Sequence, residues 1–186
     1  MTKLLLYSIS TFFIISCSSI NKVNSSSKIN TMLNEKYKNS RSSFYGKLNA
    51  SEYIEMINEL SKELKVKLSR SKAVLINYNQ NAPNCILKRF DKNTVSGVTD
   101  NKIRISSRIC ENNNTVDFFV YSDNVFNKKL YQTKNNFKLD SGFFYNNIFV
   151  IHENCAAFFI LKPDGNFMKY YGEDYYSEVS KFLEKK

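Results

Sequence analysis

The sequence predicts a mixed α/β domain, a small sheet with flanking helices, and three observations point to it. An amphipathic helical pattern opens the folded part, a short continuous apolar run follows, and a hairpin pattern near the end leads into a terminal helix. Hydrophobic residues make up 42% of the chain and aromatic residues 15%, which is enough for a core and excludes global disorder. An α+β domain with an antiparallel sheet is the alternative.

The first predicted element is a helix over residues 50–68. Asn49 is a favourable N-cap, and Glu52 three residues later completes a capping-box pattern. We expect one apolar face to pack against the core, because apolar residues recur along it at helical spacing. These residues are Tyr53, Met56, Ile57, Leu60, Leu64 and Leu68.

The middle of the chain has one clear strand at each end. The continuous apolar run at residues 73–76 predicts a strand buried on both faces, and residues 115–122 predict a second strand. Between them, residues 85–90 are compatible with one or two helical turns. Residues 91–102 are rich in turn formers, and the isoleucines of residues 103–109 alternate in a way typical of an extended segment.

The next two segments are less regular. Asp123 is a candidate N-cap for a helix within residues 123–131. The run at residues 143–151 is aromatic and β-branched, so we expect it to be extended in part.

The chain closes with a hairpin and a helix. Residues 156–161 are the most apolar strand candidate, and residues 167–171 return as the second arm. The turn between them reads Lys-Pro-Asp-Gly-Asn, in which Pro163 fixes φ and Gly165 accepts a left-handed conformation. A last helix is predicted over residues 173–185, with acidic residues in its first turn and lysines at its end.

The first residues resemble the signal of a bacterial lipoprotein. Lys3 supplies a positive charge, and the apolar run of 12 residues after it is too short to span a membrane, which takes about 20 residues. The run ends in Ile-Ile-Ser-Cys, which resembles a lipobox. The resemblance implies that residues 1–16 are a signal peptide and that Cys17 carries the lipid, including palmitate.

This resemblance implies a place in the cell envelope and a membrane as the first partner. Ser18 after the cysteine is similar to the class sorted to the outer rather than the inner membrane. Residues 17–49 are polar and are predicted to form a flexible tether, with residues 50–186 as one globular domain. The net charge of +10 suits an anionic membrane surface. We expect an envelope protein as a further partner and no nucleic acid.

Two further segments resemble membrane-anchored thioredoxin-like proteins of the bacterial envelope. Residues 72–85 are a strand and a loop that ends in a cysteine, and residues 157–183 are a strand, an Asp-Gly turn, a return strand and a helix. The resemblance implies that Cys85 lies past a central strand, at a helix N-terminus, and that Cys155 faces it within disulfide reach, about 4.4–6.8 Å between Cα atoms. Cys110 is expected elsewhere.

The chain departs from that family at its reactive centre. It has no Cys-x-x-Cys motif, since Lys88 stands where the resolving cysteine would be, and it has no tryptophan. The usual proline before the closing strand is replaced by Cys155-Ala156. Cys85 is a candidate single-cysteine nucleophile with Lys88 and Arg89 as candidate thiolate-stabilising groups. The alternatives are a structural disulfide and packed thiols, so enzymatic activity is left open.

No metal or cofactor is expected from the sequence. His152 and Cys155 are ligand types, but this is the only histidine and no second ligand pair is spaced to help. His152 could serve catalysis only as a base beside Cys85 or Cys155. Two functions therefore compete: thiol-redox exchange or thiol-dependent binding, and a non-enzymatic binding or structural module.

Overall fold

A six-stranded mixed sheet forms the centre of the computed structural model, which describes residues 41–173 and 176–185. The strands are β1 (Ser42–Lys47), β2 (Ala73–Asn79), β3 (Thr115–Tyr121), β4 (Phe137–Leu139), β5 (Ala156–Leu161) and β6 (Asn166–Tyr171). Their order is β1-β6-β5-β2-β3-β4. β2, β3 and β4 run parallel, and β1, β6, β5 and β2 pair antiparallel. The predicted mixed α/β class is confirmed, and the arrangement is consistent with a thioredoxin-like fold.

Helices cover both faces of this sheet. The helices are α1 (Ala50–Leu64), α2 (Lys92–Asn112), α3 (Lys128–Gln132) and α4 (Tyr176–Glu184). The side chains of β2 alternate between two cores: Val74, Ile76 and Tyr78 pack with α1, and Leu75 packs with α2 and α4. The central strand is therefore buried on both faces, as its continuous apolar sequence predicts.

α1 begins as predicted and ends earlier than predicted. The side chain of Asn49 accepts the N–H of Glu52, and the Glu52 carboxylate accepts the N–H of Asn49, so the capping box is confirmed. The helix stops at Leu64 because Lys65 takes a left-handed conformation, with φ of 52°.

The extended segment predicted at residues 103–109 is wrong, because α2 runs through it. The Asp91 carboxylate caps this helix by accepting the N–H groups of Asn93 and Thr94. Its buried residues are Val95, Thr99, Ser106 and Cys110. Because several of these side chains are small or polar, the hydrophobic residues of this segment do not recur at helical spacing.

Two further predictions in the second half need correction. Residues 143–151 are not extended, since Phe144–Ile148 form a π-helical turn. The helix expected to be capped by Asp123 is the short α3, which begins after Asn127. The hairpin of β5 and β6 is confirmed, and Gly165 has the predicted left-handed φ, at 83°.

Residues 42–47, which fall within the tether predicted over residues 17–49, form a strand of the sheet. β1 pairs antiparallel with β6 and extends the sheet, so residues 42–47 belong to the folded domain. An edge strand with few apolar residues gives little signal in the sequence. The predicted signal peptide, Cys17 and tether residues 17–40 lie outside the described residues.

Candidate functional site

Cys85 and Cys155 form a disulfide at one end of the central strand. Their Cα atoms are 5.0 Å apart, so the predicted proximity of these two cysteines is confirmed. β2 and β5 are antiparallel neighbours, which places the loop after β2 beside the residue that precedes β5. The bond joins residues 70 positions apart, and closing a loop of that size stabilises the folded state by about 4 kcal/mol on the chain-entropy account.

Backbone hydrogen bonds hold the two cysteine segments side by side. The N–H of Asn84 donates to the carbonyl of Glu153 at 3.0 Å, and the N–H of Gln80 donates to the carbonyl of Cys155 at 2.8 Å. Asn84 and Asn154 also form a parallel bridge. The position of each sulfur is therefore fixed by the sheet and not by the disulfide alone.

Glu173 lies against the disulfide, and no pattern in the sequence indicates that it belongs to the site. The two sulfurs and a Glu173 carboxylate oxygen all lie within 4.8 Å of one another. The carboxylate accepts the N–H of Ile86 at 2.8 Å. Gly172 donates its N–H to the carbonyl of Ala156, which brings the end of β6 beside Cys155. Glu173 precedes the last helix in sequence, where an acidic residue is explained by the helix dipole alone.

The helix N-terminus expected to stabilise a Cys85 thiolate is weaker than predicted. Cys85 precedes a 3₁₀ helix of only four residues, Ile86–Arg89, and the long helix α2 begins later. The Ile86 N–H is occupied by Glu173. Lys88 and Arg89 are exposed, and the Lys88 ammonium donates to the carbonyl of Ala82. The charged group that the structure places beside the two sulfurs is the Glu173 carboxylate.

A small cavity adjoins the disulfide. Its volume is about 10 Å³, close to the room that one water needs, and Gln80, Cys85, Tyr131 and Cys155 are among its lining residues. Gln80 is fully buried and donates through Nε2 to the carbonyls of Ile151 and Asn154. Among the described residues, Oε1 of Gln80 has no hydrogen-bond donor. A buried acceptor of this kind is costly unless something binds to it.

A buried cation lies in the electrostatic field of Glu173. The ammonium of Lys102 is removed from solvent. This burial lowers the pKa of Lys102, and the nearby Glu173 carboxylate opposes that shift. Lys102 and Glu173 thus attract each other, and each favours the charged form of the other.

The third cysteine of the domain and the histidine lie apart from the sulfur pair. Cys110 is a free, buried thiol in the core between the sheet, α2 and α4, which confirms that it stands elsewhere. Burial raises the pKa of Cys110 to about 12, with Asp117 adding to the shift. His152 stacks on Tyr145 with ring centroids 3.7 Å apart and contacts that residue's carbonyl. The structure thus accounts for His152 by contacts with Tyr145.

No protein-family model, curated protein or solved structure matches this chain. Within residues 41–173 and 176–185, no helix combines the length and the apolar character needed to cross a membrane.

Proposed function

We propose that this chain is a lipid-anchored cell-envelope protein whose domain carries an exchangeable disulfide, Cys85–Cys155. One observation carries the proposal: the disulfide lies beyond the end of the central strand β2 with the Glu173 carboxylate within 4.8 Å of both sulfurs. In open α/β sheets, ligands and reacting groups gather outside the carboxyl ends of the strands. The carboxylate also places a group that can carry a proton beside the sulfurs.

The proposed reaction is thiol–disulfide exchange with a dithiol partner. A thiolate of the partner attacks one sulfur, forming a mixed disulfide and breaking the Cys85–Cys155 bond. The displaced sulfur leaves as a thiolate and takes up a proton. The partner's second thiolate then attacks the mixed disulfide, so the partner is oxidised to a disulfide and this chain gains two electrons and two protons. Glu173 is positioned to accept the proton that the attacking thiol of the partner loses and to pass it to the displaced sulfur.

The proposed anchor is lipidated Cys17. The lipobox-like sequence before it and the net charge of +10 both favour a domain held close to an anionic membrane. The partner would be another envelope protein, and the outer membrane is favoured by Ser18.

The second candidate function is that of a non-enzymatic module with a permanent disulfide. It is favoured by burial, since Cys85 is 7% exposed and Cys155 is 5% exposed. On this alternative, the bond only fixes the loop after β2 to β5, and the domain acts by binding a partner elsewhere.

Equilibration in thiol buffers of known potential distinguishes the two functions. An exchangeable pair is expected to reach half reduction above about −270 mV, whereas structural disulfides lie below about −300 mV. The measurement is the mass shift on alkylation of Cys85 and Cys155, with the free thiol Cys110 as internal reference. A disulfide that stays closed at −300 mV would exclude the exchange function and favour the binding module.

Glu173→Gln tests the role of the carboxylate in the same assay. The variant keeps a hydrogen-bond acceptor for Ile86 but cannot transfer a proton, so we expect exchange to slow by about 10- to 100-fold at neutral pH. The matched control is Glu153→Gln, which changes an exposed glutamate two residues from Cys155. Equal exchange rates for the wild type and Glu173→Gln would remove Glu173 from the reaction.

A further inference from the structure

We propose that the reduced form of this chain binds one Zn²⁺ ion through Cys85, Cys155 and Glu173. The proposal rests on the reducible disulfide of the proposed function and goes beyond it. Among the described residues, this is the one group of three cysteine, histidine or carboxylate side chains with ligand atoms this close together, within 4.8 Å of one another.

The distances fit the coordination chemistry of zinc once the bond between the sulfurs is broken. With Zn–S bonds of about 2.3 Å and Zn–O bonds of about 2.0 Å, tetrahedral angles place two sulfurs about 3.8 Å apart and a sulfur and an oxygen about 3.5 Å apart. A carboxylate oxygen of Glu173 lies within 4.8 Å of both sulfurs, so side-chain rotation can bring it to this separation. The Cα atoms of the two cysteines, 5.0 Å apart, allow the sulfurs to separate by side-chain rotation.

The ligand set points to a borderline-soft ion. Two thiolates and one carboxylate are a combination that suits Zn²⁺ and disfavours Mg²⁺ and Ca²⁺, which prefer oxygen ligands throughout. Three protein ligands leave a fourth position open, as in catalytic zinc sites.

Gln80 supplies an independent observation for that fourth position. Its side chain is fully buried, its Nε2 is committed to two backbone carbonyls, and its Oε1 has no donor among the described residues. Gln80, Cys85 and Cys155 line the same cavity, which has about the volume of one water. A zinc-bound water there would donate to Oε1, and direct coordination by Oε1 is the other arrangement that this cavity allows.

The disulfide and the zinc complex cannot form at the same time, because both use the sulfurs of Cys85 and Cys155. The disulfide has no thiolate to offer, and its two-electron reduction by a dithiol or a phosphine, with uptake of two protons, gives two thiols. Binding of Zn²⁺ then releases both protons as the thiolates form. The disulfide and the metal site are thus alternative ways of joining the loop after β2 to the start of β5.

The test is zinc binding by the full mature chain in detergent, before and after anaerobic reduction with a phosphine. Alkylation and peptide mapping first establish whether the Cys85–Cys155 bond has opened. We expect the reduced chain to bind one equivalent of Zn²⁺ and the oxidised chain none. Replacement by Co²⁺ should give thiolate-to-metal charge-transfer absorption in the reduced chain only.

Matched variants assign the ligands. Glu173→Gln should weaken Zn²⁺ binding by at least about tenfold, while Glu153→Gln should leave it unchanged. Cys85→Ser should remove about half of the charge-transfer absorption of the Co²⁺ form, since one of two thiolates is lost.

The outcomes separate this inference from the proposed function. A bond that opens in a chain that binds no Zn²⁺, or binding that is equal in the wild type and Glu173→Gln, would overturn the site and leave disulfide exchange standing. A bond that the phosphine cannot open in the folded chain would overturn both. Equal binding by oxidised and reduced chains would place the zinc on other residues.

Discussion

The carboxylate of Asp140 organises the turn that supports the central strand. It is buried and accepts four hydrogen bonds, from the N–H groups of Gly142, Phe144 and Tyr145 and from the hydroxyl of Tyr78, at 2.8–3.1 Å. Burial and the facing carboxylate raise the pKa of Tyr78, so its hydroxyl stays a donor. The Asp140 side chain therefore caps the π-helical turn and links it to Tyr78 of β2.

Replacing this carboxylate should be costly for stability. In Asp140→Ala, three backbone donors and one hydroxyl lose their acceptor, so we expect the free energy of unfolding to fall by about 3 kcal/mol. Urea denaturation followed by circular dichroism measures this. The control is Asp123→Ala, whose side chain is 78% exposed and whose removal should change stability by less than about 0.5 kcal/mol. Equal midpoints for the two variants would contradict the role given to Asp140.

At the scale of elements, α2 begins at an N-cap in which one carboxylate accepts several hydrogen bonds. The Asp91 carboxylate accepts the N–H of Asn93 at 2.9 Å, the N–H of Thr94 at 3.0 Å and the hydroxyl of Thr94 at 2.7 Å. These hydrogen bonds, led by that of the Thr94 N–H, lower the pKa of Asp91 from its ordinary value of 3.8. The ionised carboxylate is therefore more stable in the folded state than in the unfolded one.

The pH dependence of an Asp91→Ala variant follows from this sign. A carboxyl group with a lowered folded-state pKa stabilises the fold fully above its unfolded pKa, and this contribution is lost as the pH falls through the folded pKa. The wild type should therefore have a higher urea midpoint than the variant near pH 7, and the difference should shrink below about pH 4. A difference that stays constant from pH 7 to pH 2.5 would mean that the charge is not involved.

Local patterns predicted the first helix and the closing hairpin, and they failed in α2 for a physical reason. The apolar stripe around Leu60 identifies the first helix from residues close together in sequence. The Pro163–Gly165 turn identifies the β5–β6 hairpin in the same way. In α2, Thr99 and Ser106 occupy buried positions, so hydrophobic periodicity is absent although the cap at Asp91 is present. Glu173 reaches the sulfurs only because β6 returns beside β5, and no local pattern reports such a contact.

For the molecule as a whole, the cysteine pair could be predicted only through a family resemblance. That resemblance also implied a helix N-terminus at Cys85, where the structure has a short 3₁₀ helix and Glu173. Lys88 and Arg89 were expected beside the thiolate from their positions one turn after Cys85. β1 adds residues 42–47 to the folded domain, which was predicted to begin at residue 50. The proposed anchor at Cys17 would then lie ahead of the sheet's edge strand.

The anchor itself is tested by Cys17→Ala. The variant should keep its first 16 residues and carry no fatty acid, because the residue that accepts the lipid is gone. Metabolic labelling with palmitate and detergent partitioning of the wild type and the variant measure this. Cys110→Ala is the control, and it should retain the label. Equal labelling of Cys17→Ala and the wild type would rule out Cys17 as the anchor.

The disulfide between the loop after β2 and the start of β5 also limits how far the chain can be extended by force. A chain pulled from its two ends can straighten only where it is not bridged, and the Cys85–Cys155 bond withholds a segment of 70 residues. At about 3.3–3.6 Å per residue, that segment represents roughly 230–250 Å of contour length. With the proposed lipid anchor at Cys17 holding one end, the oxidation state of this bond would decide whether the segment can extend under a pulling force.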